Sequence, residues 1–190
     1  MDKDKVQVVL EWPQPKNIKQ LSGFLGLNGY YRRFIKGYAS LAAPLTDLLR
    51  KEAFKWSFKA EVAFLKLKEA ITSELVLALP NFELPFEIET YASSNGIGVV
   101  LMQDKHPIAY FSKKMSPQMQ RQSVYTREFF AITKAISKFK HYLLGQKFII
   151  HTDQQSLKSL LDQQLSTPEQ HKWLHKFLGY DFKIKYKPGM

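Results

Sequence analysis

Residues 86–112, FEIETYASSNGIGVVLMQDKHPIAYFS, decide how this chain is read. Phe86, Ile88 and Thr90 alternate with Glu87, Glu89 and Tyr91, the period of two that a half-buried strand requires. Ser93-Ser94-Asn95-Gly96 reads as a turn into a second strand, Ile97–Met102, which closes a hairpin. A third strand, Pro107–Ser112, follows another short turn. Beyond it, residues 123–144 carry strong helical periodicity, and Gly145 stands in the position of a helix stop. Phe148–Thr152 is a short continuous apolar run of the kind buried in parallel sheets. A helix from about Gln155, another after Thr167-Pro168-Glu169, and an alternating strand through Phe182, Ile184 and Tyr186 complete the order β-β-β-α-β-α-α-β. That order predicts an α/β domain: a mixed sheet with helices on its faces.

Upstream of residue 80 the texture is helical. Trp12-Pro13-Gln14-Pro15 disfavours helix before each proline. Asn17 and Gln20 read as a capping box opening a helix to about Leu27. A second short helix is expected over Tyr30–Lys36, and Pro44 reads as the start of another through Leu45–Leu49. Ser57 caps a longer helix, in which Ala60, Ala63, Phe64, Leu67, Ala70 and Ile71 recur at helical spacing.

Composition narrows the function classes. The 190 residues are 45% apolar and 24% charged, values that exclude a disordered or collagen-like chain. No run of about 18 apolar residues is present to span a membrane, and residues 1–12 lack the pattern of a secretory signal. Cysteine is absent, so disulfides, thiol catalysis and thiolate metal sites are excluded together. An intracellular location, cytoplasmic or nuclear, is compatible with that absence. Lys and Arg number 28 against 17 acids, a net charge of +11 that favours a polyanionic partner, nucleic acid or an anionic membrane surface. The excess is uneven: residues 105–190 hold 15 basic and 5 acidic side chains, a net of +10, whereas residues 81–100 hold three acids and no base.

Three positions could carry chemistry. Glu128 falls on the line of Tyr125, Ile132, Ala135, Ile136, Phe139 and Leu143, and a carboxylate in that inward stripe is costly unless paired or bound to a cation. Its blander role is a glutamate near a helix start, where the dipole favours it. Asp153 ends the strand Phe148–Thr152, and the carboxyl ends of strands in open α/β sheets are where ligands bind. Taken alone, it reads first as the N-cap of the helix through Leu160. Tyr91 ends the first strand on the face of Glu87 and Glu89, an ordinary place for a strand aromatic.

Longer motifs add a resemblance. Trp12-Pro13, Leu21–Tyr31 (LSGFLGLNGYY), Arg32-Arg33-Phe34-Ile35 and Ala43-Pro44-Leu45-Thr46 resemble the thumb of a reverse transcriptase from a Ty3/gypsy-type LTR retrotransposon. Pro85–Thr90, Gly96-Ile97-Gly98, His106–Ser112, Glu128, His151-Thr152-Asp153 and Thr167-Pro168-Glu169-Gln170 resemble the ribonuclease H domain of the same polyprotein. The resemblance implies a thumb-like helical region over residues 1–50, a connecting helix and linker over 51–80, and a ribonuclease H-like domain over 81–190. Its sheet would be five-stranded and mixed, flanked by helices and C-terminally truncated.

The same resemblance implies a two-cation mechanism. Family members hold two divalent ions, Mg or Mn, with a cluster of acids; Glu128 and Asp153 match two of them as catalytic and metal-ligating positions. The sequence departs from the family at two others. The family's Thr-Asp-Ala-Ser reads Thr90-Tyr91-Ala92-Ser93 here, and a phenol with pKa near 10 is a poor substitute for a bridging carboxylate. The fourth acid would follow Lys187-Pro188-Gly189, where the sequence reads Met190 and stops. Glu89 sits two residues, roughly 6.5 Å, back along its strand. Metal binding is therefore expected to be weak or absent.

The expected function is a thumb–ribonuclease H-like module that binds an RNA/DNA hybrid or duplex over a degenerate, inactive metal site. Tyr30, Tyr31, Arg32, Arg33, Lys113, Lys114, Arg121 and Arg127 are its candidate nucleic-acid contacts. One alternative is an active Mg-dependent ribonuclease H that cleaves the RNA strand of a hybrid. Another is a host-retained protein-interaction module. Polymerase activity is not expected, because fingers and palm would lie upstream of residue 1. The rest of a reverse transcriptase polyprotein is an implied partner, and a membrane is not.

Overall fold

A computed structural model describes residues 3–50, 53–72, 77–157 and 168–188. The chain divides into two compact units, Met1–Val76 and Leu77–Met190. The helix expected from about Gln155 lies largely outside the described residues, as do Thr167, Gly189 and Met190.

The first unit is helical: α1 (Lys3–Glu11), α2 (Ile18–Tyr31) with a 3-10 turn at Arg32–Phe34, α3 (Tyr38–Asp47) and α4 (Phe58–Thr72). Asn17 Oδ1 accepts from the Gln20 amide at 2.9 Å, while Gln20 Oε1 accepts from the Lys16 amide at 2.8 Å. The box thus closes one residue upstream of its usual donor. Rather than stopping near Leu27, α2 continues to Tyr31, because Leu21, Phe24, Asn28 and Tyr31 form one buried stripe. The expected separate helix at Tyr30–Lys36 reduces to the 3-10 turn. Pro44 lies inside α3, not at its head: Gly37, at φ +67°, starts that helix seven residues earlier. The missing amide bond is outweighed by burial of Tyr38, Ala42 and Leu45.

Ser57 Oγ accepts from the Ala60 amide at 3.3 Å and opens α4 as expected. Ala60, Ala63, Phe64, Leu67 and Ile71 of α4 share a core with Leu21, Phe24, Tyr31 and Leu45. Lys68 Nζ donates to the carbonyls of Leu10 and Trp12, at 2.7 and 2.6 Å, fixing the end of α1 to α4. The helix expected as a connector is therefore part of the first unit's own core.

The second unit holds β1 (Phe86–Ala92), β2 (Gly96–Gln103), β3 (His106–Lys114), β4 (Lys147–Thr152) and β5 (Asp181–Tyr186). Between and after them come α5 (Pro117–Gln120), α6 (Val124–Leu143) and α7 (Pro168–Leu174), the last followed by a 3-10 turn at His175–Phe177. The strands form one mixed sheet in the order β3-β2-β1-β4-β5. Pairs β1–β2 and β2–β3 are antiparallel, and β4 lies parallel to both β1 and β5. The β2–β3 turn uses Asp104 and Lys105 at φ +46° and +63°, a left-handed pair that matches strand twist. Gly96 is required by space: a Cβ there would lie 2.8 Å from the Lys113 carbonyl oxygen.

Alternation sorts the faces. Phe86, Ile88, Phe148 and Ile150 point under α6 and pack on Phe129, Ile132 and Ile136. Each such side chain contributes roughly 1.5–3 kcal/mol by burial. Glu87, Glu89, Tyr91 and His151 point to the opposite face. This arrangement brings the C-terminal ends of β1 and β4 together beneath the first turns of α6.

Candidate functional site

Ser123 caps α6 by accepting from the Thr126 amide at 3.2 Å. That start sets the helix register and turns Glu128 toward the strand ends. Glu128 is fully buried. Its Oε1 accepts from the Ala92 amide at 2.5 Å, at the end of β1, and its Oε2 accepts from the Thr152 hydroxyl at 3.4 Å, at the end of β4. The Thr152 hydroxyl in turn accepts from the Gln154 amide at 3.3 Å, holding the chain as it leaves β4. One carboxyl thus ties a helix to two strands.

Asp153, exposed and next after Thr152 in the chain, shares a hydrogen bond with the same carboxyl. Burial, and then the negative charge of Asp153, push Glu128 up to about 7; a hydrogen bond between the two carboxyls acts in the same direction. The bonds from Ala92 and Thr152 hold it down in part. Near neutral pH the corner therefore hovers between a shared proton and an uncompensated pair of charges. Sequence reasoning placed Glu128 and Asp153 together, and the structure brings them together. The Ala92 amide and the Thr152 hydroxyl were missed. Thr152 could have been found, since period two puts it on the buried face of β4.

The neighbouring corner behaves differently. The Tyr91 hydroxyl donates to Glu89, and Lys187 Nζ donates to the other oxygen of Glu89. Burial, the hydrogen bond to Glu89, and the charges of Glu89 and Asp153 push the Tyr91 phenol up to about 12, so it remains a neutral donor. For Glu89 burial alone would raise the carboxyl. The bonds from Lys187 and Tyr91, with the charges of Lys187 and His151, outweigh it and hold Glu89 below its ordinary value. His151 Nε2 lies 2.7 Å from Glu87. Lys187 is placed by its own amide, which donates to the Thr152 carbonyl at 2.9 Å. It escaped the sequence reading because it belongs to this corner only through β5 pairing.

The donor set does not fit a two-cation cluster. Two carboxyls converge, the third corner is a neutral phenol, and Glu89 is engaged by an ammonium. Among the described residues no group of three or more His, Cys, Asp or Glu is arranged to hold a metal ion.

The expected nucleic-acid contacts divide. Tyr30 is 66% exposed, and Arg32 and Arg33 are exposed, with the Arg33 guanidinium 4.9 Å from the Phe34 ring centre. Tyr31 is corrected: it is 1% exposed and belongs to the helical core, one residue and roughly 100° around from Tyr30. The stripe of Leu21, Phe24 and Asn28 carried that signal. Lys113 and Lys114 are exposed at the end of β3, and Arg121 is exposed ahead of α6. Arg127 is half-buried beside Glu128 in sequence, its Nε buried with no hydrogen-bond partner among the described residues.

Residues 81–180 match a family described as the RNase H-like domain found in reverse transcriptase. The Pol polyprotein of transposon 297 from Drosophila melanogaster is 38% identical over 187 residues, covering 97% of this chain and 18% of the relative. That of transposon gypsy from the same organism is 34% identical, covering 99% and 20%. The Tf2-3 polyprotein of Schizosaccharomyces pombe is 35% identical, covering 98% and 15%. The chain thus spans a fifth or less of these relatives. Among solved structures, the foamy viral protease-reverse transcriptase in complex with RNA/DNA hybrid matches with a TM-score of 0.86 at 18% identity, covering 100% of this chain and 27% of that one. At that identity the likeness concerns the fold.

Proposed function

The chain belongs to the family of RNase H-like domains found in reverse transcriptase, and on that premise we propose that it binds an RNA/DNA hybrid or duplex at the Glu128–Asp153 corner without cutting it. The observation that carries this reading is the Tyr91 hydroxyl: it donates to Glu89 and so fills the third corner with a neutral group. A pair of carboxyls facing that phenol is left to hold a proton where an active cluster would hold two cations. The net charge of +11 supports affinity for a polyanion. Foamy viral proteins of the same fold are complexes with double-stranded DNA and with RNA/DNA hybrid, which supports the choice of ligand.

The finer reading is a Ty3/gypsy-type LTR retrotransposon origin, with the first, helical unit in the place of a thumb. In this reading Arg32, Arg33, Lys113, Lys114 and Arg121 contact phosphates, and Tyr30 packs on the sugar-phosphate surface. Contacts of this kind position a duplex and carry little sequence information. Protonation of Glu128 removes one negative charge from beneath the exposed Asp153, so binding tightens as pH falls from 8 to 6.

The test combines binding and cleavage. A labelled RNA/DNA hybrid is titrated with the 190-residue chain, then incubated with Mg²⁺ or Mn²⁺. Binding that weakens with salt, with the RNA strand left intact, is the expected result. Cutting abolished by Glu128→Gln and Asp153→Asn would establish an active ribonuclease H in its place. Failure to bind any hybrid or duplex would overturn the proposal.

A further inference from the structure

The charged side chains on the outward side of α6 are all basic. Its sequence holds one acid, Glu128, which is buried against the strands. Lys134 and Lys138 lie one helical turn apart, roughly 240° and 280° around from Glu128 at 100° per residue. Lys113, from the end of β3, reaches the same side. The Lys113 and Lys134 ammoniums lie 6.0 and 5.2 Å from the centre of the Phe130 ring, and the Lys138 ammonium lies 6.0 Å from that of Phe111. Lys176 lies in the 3-10 turn after α7, which is held against α6 by the Phe177 ring, 5.6 Å from that of Phe129; burial first, then the charges of Lys113 and Lys176, lower the Lys134 pKa below its ordinary value.

None of these four lysines forms an ion pair among the described residues. Like charges one turn apart on a helix destabilise it, and here two further ammoniums crowd the same place with no counter-ion among the described residues. Cation–π contact with Phe130 and Phe111 holds three of the heads in position, so less side-chain entropy is lost when an anion arrives. An array of held ammoniums with no acidic partner among the described residues is the electrostatic form of a phosphate site. The step from Lys134 to Lys138, about 6 Å along the helix axis, is comparable to the separation of neighbouring phosphates on one strand.

We propose that Lys113, Lys134, Lys138 and Lys176 form a track for a nucleic-acid phosphodiester backbone on the outer side of α6, separate from the Glu128–Asp153 corner. This rests on the nucleic-acid reading above and extends it from Lys113, already placed on phosphate there, along the outer side of α6. Phe130 is half-buried beneath the lysines. It supports the charges and is not free to stack a base, so the track reads backbone and not sequence.

The experiment measures hybrid affinity of the full chain across a salt series. In the track variant Lys113, Lys134, Lys138 and Lys176 all become Gln. The control removes the same charge elsewhere in the second unit, with Lys105, Lys147, Lys183 and Lys185 changed to Gln. The track variant is expected to bind at least ~10-fold more weakly at low salt, its log Kd–log salt slope shallower by about 0.9 for each phosphate left without an ammonium. The control should weaken far less. Equal weakening in both variants would mean net charge alone acts and would overturn the track while leaving nucleic-acid binding intact. A wild-type chain that binds no hybrid or duplex overturns the functional reading, and the track with it. Polyglutamate bound through these lysines in place of hybrid would assign the surface to an acidic protein and overturn the track. Thermal melting checks the fold, and the single Lys134→Glu, expected to weaken binding about as strongly, repeats the test should the fourfold variant fail to fold.

Discussion

Glu128 and Glu89 stand at adjacent corners of one sheet end and have opposite electrostatic fates. Glu128 is buried, faces Asp153 and is pushed up to about 7. Glu89 receives Lys187 and the Tyr91 hydroxyl and is held below its ordinary value. The residue type is the same; deeper burial, and then the charge of the partner, make the difference. A carboxyl beside an ammonium is a fixed anion with nothing left to bind. A carboxyl beside another carboxyl is an unsatisfied site that takes up a proton or a cation. Of these two corners, the Glu128 corner therefore keeps an unmet demand and the Glu89 corner does not.

The harshest way to break the comparison is to truncate one carboxyl. Glu128→Ala leaves the Ala92 amide and the Thr152 hydroxyl without their acceptor and opens a cavity, which should cost about 3 kcal/mol in denaturant unfolding. Glu128→Gln keeps the shape of the protonated carboxyl and removes the conflict with Asp153; it should be more stable than wild type at pH 8 by about 1–3 kcal/mol. Destabilisation by Gln at pH 8 would mean the charged form is the favoured one.

Next in size is the pH dependence. Glu128 has a folded pKa of about 7 against 4.5 unfolded, so the folded state holds the extra proton between those values. Its contribution is fully present below pH 4.5 and is lost as pH rises through 7, a change on the order of 3 kcal/mol. Glu89 runs the other way: its contribution is present above pH 4.5 and is lost as acid protonates it at its lowered folded pKa. Urea unfolding from pH 4 to 8, with wild type beside Glu128→Gln, should show the fall across 4.5–7 in wild type alone.

Tyr91→Asp sharpens the contrast by adding a third carboxyl next to Asp153. Without metal the variant should melt several degrees lower than wild type, through like-charge repulsion. Mn²⁺ or Mg²⁺ should recover much of that difference, and should leave wild type nearly unmoved. A variant that melts higher without metal would sink the repulsion argument. The smallest effect belongs to Lys187→Ala, an ion pair open to solvent on the lysine side; a loss of under about 1 kcal/mol is expected, reduced further by salt.

The strands and α6 were legible to within a residue or two, because period two and period 3.6 are local signals. Errors fell in the first unit, at α2, at the separate helix over Tyr30–Lys36, and at Pro44. There the caps at Asn17 and Ser57 mark where α2 and α4 start, while the end of α2 and the span of α3 follow the packing of Phe24, Tyr31 and Leu45. Tyr31 was assigned to the surface, not the core, for the same reason.

The sequence by itself determined the element order, the two carboxyls at Glu128 and Asp153, the phenol at Tyr91 and the basic excess. Each is a matter of residue identity and spacing along the chain. Tertiary structure alone decided what those groups mean. It set Asp153 against Glu128, brought Lys187 across from the end of β5 to Glu89, and gathered Lys113, Lys134, Lys138 and Lys176 from three elements onto one side of α6. Charge acts through space and falls with distance, so the state of an ionisable group is fixed by neighbours that the chain supplies from tens of residues away.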